Sequence, residues 1–119
     1  MVTRTARTAW DGGLKDGSGQ VELSSSGLAT FDVSFPKRAS ETADGSTSPE
    51  ELVGAAHSSC YSMSLAGLLE KAGATPQTLD VKADVSVGFD DEGKLGLTGI
   101  LLTVRGEVDG IDEAGFLEA

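Results

Sequence analysis

The sequence predicts an α+β domain in which antiparallel strands flank one long helix. Residues 48–73 carry the start and stop signals of a helix. The segments on either side alternate apolar and polar residues with the period of two that is typical of strands. Because strands precede and follow a single long helix, the order of elements favours α+β over a parallel α/β sheet.

The composition narrows the class of protein. A chain of 119 residues is expected to form one domain, residues 1–119. Its net charge of −10 argues against nucleic acid and anionic membranes as partners, because Lys and Arg bind both. The N-terminal residues have no apolar stretch of signal-peptide length, so a cytoplasmic location is expected. The single cysteine, Cys60, cannot form an internal disulfide.

Three antiparallel strands are predicted before the helix, at residues 5–12, 19–25 and 28–35. The pair Asp16-Gly17 is a common turn and joins the first two strands. The strands form a meander with one apolar face.

A polar loop is predicted at residues 37–48, after Pro36 ends the third strand. Lys37 and Arg38 are adjacent cations in an acidic chain. Two interpretations are open: a functional basic pair, or a pair that is merely solvated, which is the commoner case.

The central helix is bounded at both ends. Ser48 is an N-cap, Glu51 completes a capping box, and Pro49 suits the first helical position. Lys71 complements the dipole of the last turn, and Gly73 is a C-terminal stop signal. The helix is therefore about 36 Å long.

The interior of this helix has no formally charged residue between Glu51 and Glu70 and is crowded with small side chains. Such a pattern predicts a helix that is buried on most sides. A domain of this size has little material to cover it, and a second copy of the chain could supply the cover.

Two further strands are predicted after the helix, at residues 79–90 and 95–108, joined by a hairpin turn. Asp112 is expected to cap a final helix. Alternation in the strand at residues 95–108 places Ile100, Leu102 and Val104 on one face and Leu97, Leu101 and Thr103 partly on the other.

Cys60, in the middle of the helix, has two interpretations. A cysteine in an apolar helix is more often an inert core residue than a nucleophile. A nearby cation would activate it; Arg38 is the candidate, with Glu50 to orient the guanidinium.

The helix geometry constrains that idea. Glu50 and Cys60 are ten residues apart, which is about 15 Å along an unbroken helix. They cannot share a site within one straight helix. Either the helix breaks near Gly54, or the carboxylate and the thiol come from different chains, which is the hypothesis adopted here.

His57 lies one turn before Cys60. A Cys–His pair and a satisfied buried histidine are both open, and the buried histidine is the commoner case. One Cys and one His provide too few ligands for a metal site, and neither GxGxxG nor a Walker pattern is present, so no metal or nucleotide cofactor is expected.

The segment TSPEELVGAAHSSCYSMSLAGLLEKAG at residues 47–73 resembles the osmotically inducible protein C and organic hydroperoxide resistance (OsmC/Ohr) family. The Ala-Ala-His before Ser-Ser-Cys is more similar to the OsmC branch. The W-x-G at residues 10–12 and the alternating strand at residues 81–87 agree with it. The resemblance covers essentially the whole chain.

The resemblance implies an OsmC/Ohr-like fold, with antiparallel sheets wrapped around a long central helix in an intertwined homodimer. It implies thiol-dependent reduction of organic hydroperoxides, and more weakly of hydrogen peroxide, in oxidative or osmotic stress defence. No cofactor is implied; an external dithiol is the reductant. By position, Cys60 resembles the peroxidatic cysteine, Glu50 the carboxylate of the P-E-E motif, and Arg38 the arginine that pairs with it.

The sequence departs from the family in one respect. Members carry a second, resolving cysteine in a Gly-Cys-Pro context on a second long helix. Residues 1–119 contain only Cys60, so we expect this chain to lack the family's C-terminal helix and last strand. Either the sequence is part of a longer protein, which the unfinished helix at Phe116 and Leu117 favours, or the protein is a one-cysteine variant. The alternative function is a non-catalytic OsmC-like domain that binds a small apolar ligand or a partner at the dimer cleft.

Overall fold

The computed structural model describes residues 1–118. The chain divides into two compact units, an N-terminal unit at Met1–Pro49 and a C-terminal unit at Glu50–Ala119. Antiparallel strands lie in both units, and the long helix runs through the first part of the second. The α+β class is therefore confirmed, and the single domain over residues 1–119 stays a prediction.

The N-terminal unit is built on a three-stranded antiparallel sheet in the order β1-β2-β3. Its strands are β1 (Arg7–Asp11), β2 (Ser18–Glu22) and β3 (Thr30–Val33), so the three predicted strands are confirmed, although each is shorter than predicted. In the turn after β1, Gly13 N donates to Asp16 Oδ1 at 3.0 Å.

A short helix, α1 (Phe35–Arg38), follows β3. The prediction that a loop starts at Lys37 is therefore wrong. Ser34 caps the helix, because its Oγ accepts a hydrogen bond from Lys37 N at 3.3 Å. Pro36 lies in the first turn, where a helix does not use the missing N–H.

The C-terminal unit contains α2 (Pro49–Lys71), β4 (Thr75–Phe89), β5 (Leu95–Asp109) and α3 (Glu113–Glu118). The predicted central helix is confirmed, and Gly73 closes it with a φ of +86°. β4 starts at Thr75, four residues before the predicted residue 79. Asp112 caps α3 as predicted, since Gly115 N donates to its Oδ1 at 2.8 Å.

β4 and β5 form an antiparallel two-stranded ribbon, and α2 packs on one of its faces. The buried centre of this unit consists of Leu65, Leu69 and Ala74, and Leu79, Val104, Val108, Ile111 and Phe116 pack against it. Further along the ribbon, Gly54 brings the helix close, because a Cβ there would lie 3.4 Å from Ala83 O and Val85 Cγ2.

An irregularity in the ribbon corrects one predicted strand face. Ser86 pairs with Gly99, but Val87 pairs with Leu97, so Thr98 is an extra residue in β5. Residues directly opposite each other share a face. Leu97 therefore lies on the same face as Val87, and the prediction that it points to the other side is wrong.

The prediction that α2 is buried on most sides is wrong for the single chain. The buried residues of α2 are Glu50, Gly54, Leu65 and Leu69, and the opposite face is exposed. The ribbon has only two strands and covers one side of the helix. Among residues 1–118, no helix has both the length and the apolar character needed to cross a membrane.

Candidate active site

Cys60 lies at the midpoint of α2 and is exposed. Nine residues separate it from the fully buried Leu69, and at about 100° per residue these two side chains leave the helix on opposite sides. Cys60 therefore points away from the ribbon. The interpretation as an inert core cysteine does not hold for the single chain.

Glu50 lies in the first turn of α2 and is only 7% exposed. A carboxylate at this depth needs charged or hydrogen-bonding partners to offset its loss of water. The helix continues without a break past Gly54 to Lys71, so Glu50 and Cys60 are about 15 Å apart along its axis. The alternative in which the helix breaks near Gly54 is therefore wrong.

Arg38 is the last residue of α1, in the N-terminal unit, and its side chain is half-buried. Its neighbour Lys37 is exposed and lies 3.8 Å from the carboxylate of Asp44, which is also exposed. Exposed ion pairs of this kind contribute little to stability. The two adjacent cations thus differ in their surroundings, which the sequence could not show.

The N-terminal unit carries an open polar groove of about 610 Å³. Within it, Gln20 Nε2 donates to Asp32 Oδ1 at 3.1 Å. Arg38, Glu50 and Cys60 do not belong to the described residues that line it. Its polar lining includes Asp11, Ser18, Gln20, Asp32, Ser34 and Lys37.

Serine hydroxyls near Cys60 serve the helix backbone. Ser58 Oγ donates to Ala55 O at 3.3 Å, and Ser59 Oγ donates to Ala56 O at 3.0 Å. Ser62 Oγ donates to Ser58 O at 2.8 Å. These hydroxyl protons are directed to carbonyl groups, so they are not offered to the thiol.

His57 is exposed and lies one turn before Cys60 on the same side of α2. The interpretation as a buried histidine is therefore wrong for the single chain. Across the described residues 1–118, no group of three or more His, Cys, Asp and Glu side chains could hold a metal ion. The expected lack of a metal cofactor stays a prediction.

Sequence reasoning missed an apolar surface on the C-terminal unit. Met63, one turn after Cys60, is 74% exposed, and Leu68 is 49% exposed. The far end of the ribbon also exposes apolar side chains. The large exposed apolar side chains of α2 and the ribbon are Val53, Tyr61, Met63, Leu68, Phe89, Leu97, Ile100 and Leu101. No sequence signal separates them from core residues, because apolar side chains at helical or strand spacing usually face a core.

Known proteins are similar to this chain in sequence and in fold. Residues 42–119 match the family model described as OsmC-like protein. Peroxiredoxin OsmC of Escherichia coli (strain K12) is 37% identical over 115 residues, which are 97% of this chain and 78% of that protein.

Two crystal structures share the fold. The organic hydroperoxide resistance protein OhrB of Bacillus subtilis superposes with a TM-score of 0.70 at 23% identity, covering 96% of this chain and 78% of its own. The organic hydroperoxide resistance protein OsmC from Legionella pneumophila has a TM-score of 0.68 at 21% identity, covering 99% and 85%. The family model and the 37% identity to Peroxiredoxin OsmC show that the chain belongs to the OsmC-like protein family.

Proposed function

We propose that this chain reduces organic hydroperoxides, and hydrogen peroxide more weakly, through a sulfenic acid on Cys60. It is a cysteine-based peroxidase of the OsmC type, as its similarity to Peroxiredoxin OsmC supports. Its role is defence against oxidative or osmotic stress, and its location is the cytoplasm. The reaction uses no bound cofactor.

The exposure of Cys60 carries this proposal. A nucleophilic thiol must meet its substrate, and a cysteine on the open side of a helix satisfies that condition. An inert structural cysteine would be expected on the packed side, beside Leu65 or Leu69.

The first chemical step is the attack of the Cys60 thiolate on the terminal oxygen of the hydroperoxide. The O–O bond breaks, the alcohol leaves, and the sulfur keeps an OH group as a sulfenic acid. Arg38 stabilises the thiolate and the charge that develops on the leaving oxygen. Glu50 holds the guanidinium in place through a charged hydrogen bond. An external dithiol is the final reductant of the sulfenic acid.

The active form in this proposal is a homodimer with sites shared between two chains. The unbroken α2 keeps Glu50 and Cys60 of one chain about 15 Å apart. A site that contains both groups therefore takes the carboxylate from one chain and the thiol from the other. The exposed apolar surface on α2 and the ribbon favours such an association.

The chemistry is tested by intact-mass measurement after one equivalent of cumene hydroperoxide, with and without a sulfenic-acid trap. We expect a gain of about 16 Da, for one oxygen atom, and a trapped adduct on Cys60. Cys60→Ser is the control and gains neither. If the wild-type thiol stays unmodified, the peroxidase proposal is wrong and the binding domain replaces it.

The shared site is tested by mixing one slowed variant and one inactive variant. Glu50→Gln keeps the thiol and Cys60→Ser keeps the carboxylate, so a mixed dimer has one complete site only if the two groups come from different chains. After joint unfolding and refolding, we expect part of the Glu50→Gln thiol to regain the wild-type oxidation rate. The double variant Glu50→Gln/Cys60→Ser, used as the partner, gives no recovery. A monomeric protein with full activity would contradict the shared site.

A further inference from the structure

We propose that His57 is a catalytic residue that carries the proton of the Cys60 reaction, and this inference rests on the proposed peroxidase function. The imidazole takes the thiol proton and passes it to the leaving oxygen of the hydroperoxide. Sequence spacing alone left a buried histidine as the commoner interpretation, and the exposure of His57 removes that interpretation for the single chain.

The geometry of α2 places the two side chains together. His57 and Cys60 are three residues apart on an unbroken helix, so their Cβ atoms are about 5–6 Å apart. Each Cα–Cβ bond of an α-helix is inclined towards the N-terminus. The side chain of Cys60 therefore leans towards the turn that carries His57.

His57 is also the group on this helix that is suited to proton transfer. The other acidic and basic residues of the same helix, Glu50, Glu51, Glu70 and Lys71, are nine or more residues from Cys60, and the carboxylate that the proposed dimer brings from the other chain is engaged with Arg38. Tyr61 is adjacent in sequence, but its side chain leaves the helix about 100° away. Imidazole is the side chain that ordinarily exchanges a proton between about pH 5 and 8.

The ribbon supplies no competing group beside Cys60. Its α2-facing side chains at the middle of the helix include Ala83 and Val85 of β4, which lie against Gly54. Cys60 projects from the opposite side of α2, and His57 is exposed at the edge of the packed face, about 60° around the helix from Gly54. The serine hydroxyls of this part of the helix donate to backbone carbonyls. Within α2 and the ribbon, proton transfer to and from the thiol therefore falls to His57.

The step balances without a further reactant. The S–H proton of Cys60 moves to the imidazole, and the thiolate forms a bond to the terminal OH oxygen of R–O–OH. The O–O bond breaks, and the leaving R–O⁻ takes the proton from the imidazolium. The products are Cys60 sulfenic acid and R–OH, so sulfur loses two electrons and the peroxide gains them.

The test compares two oxidants with different leaving groups. Cumene hydroperoxide releases an alkoxide that needs a proton, whereas peracetic acid releases acetate, which does not. In His57→Gln we expect the rate of Cys60 oxidation by cumene hydroperoxide to fall by about 100-fold, and the rate with peracetic acid to fall much less. A purely structural effect would slow both oxidants equally.

Two further measurements make the outcome decisive. Ser64→Ala changes an exposed side chain on the same side of α2, one turn after Cys60, and should leave both rates unchanged. Added imidazole should partly restore the cumene hydroperoxide rate of His57→Ala. Equal rates in wild type and His57→Gln, or equal losses with both oxidants, overturn the proposal while the peroxidase function stands. A wild-type thiol that resists both oxidants overturns the peroxidase function as well.

Discussion

The face of α2 that packs on the ribbon and the face that carries Cys60 are built from similar residues in different surroundings. Gly54 lies on the packed face, where an added Cβ would meet Ala83 and Val85 at 3.4 Å. Gly67 lies on the exposed face, where an added Cβ would meet nothing within 4 Å. Small residues thus allow close packing on one side of the helix and leave the other side open around the thiol. The two faces should respond differently to the same substitution.

Adjacent leucines give the largest expected contrast in stability. Leu69 is fully buried, whereas Leu68 is 49% exposed. Leu69→Ala removes core contacts with Ala74 and its neighbours and should lower the free energy of unfolding by about 2–5 kcal/mol. Leu68→Ala should cost less than about 1 kcal/mol. Urea unfolding at one fixed protein concentration measures both, because association would also shift the midpoint.

An equal decrease in the free energy of unfolding in the two leucine variants would contradict the difference between the two faces, because it would mean that both are packed. The thiol provides a second readout. Under folding conditions, Cys60 of Leu69→Ala should still react with cumene hydroperoxide at the wild-type rate, since the core lies on the other side of the helix.

The first turn of α2 gives the next contrast. Glu50 is buried and Glu51 is exposed. A hydrogen bond to a charged group is worth about 1.5–3 kcal/mol, which is about 10- to 100-fold in rate. We expect Glu50→Gln to slow Cys60 oxidation by this factor, and Arg38→Ala to do the same. Glu51→Gln and Lys37→Ala are the matched controls, and stopped-flow measurements of the decrease in free thiol give the rates. A similar decrease in rate in the controls would contradict a specific role of Glu50 and Arg38.

Much of the fold could be predicted because its signals are local. The bounds of α2 follow from capping residues within one turn of each end, such as Ser48 and Gly73. The bulge at Thr98 could not be predicted, because an extra residue in β5 is defined only by its pairing with β4. Local sequence predicts the helices and strands, whereas the pairing between strands determines the register of a sheet.

The candidate site could likewise be predicted only where its signals are local. The resemblance to the family predicts Cys60 and Glu50 as site residues, and the rise of a helix predicts their separation of about 15 Å. The exposed side of α2 could not be predicted, because this helix has no charged stripe to mark its outer face. The ribbon determines which side is buried, so the exposure of Cys60 and His57 is a tertiary property.

The smallest expected effect on stability is that of Gly67→Ala, on the open side of α2. Glycine within a helix is less stable than alanine by about 0.5–1 kcal/mol. Because the space beside Gly67 is open, Gly67→Ala should raise the free energy of unfolding by up to about this amount at protein concentrations where the chain is monomeric. Gly54→Ala should gain less, since its new methyl group meets Ala83 and Val85.

Repeating the measurement at high protein concentration tests whether a second copy of the chain covers the exposed face of α2. If a second copy lies against Gly67, the added methyl group interferes with association, and the gain in stability disappears as concentration rises. If the gain is the same at both concentrations, no second copy lies against Gly67. A loss of stability in the monomer itself would contradict the open face, because only a neighbour within the same chain could then oppose the methyl group.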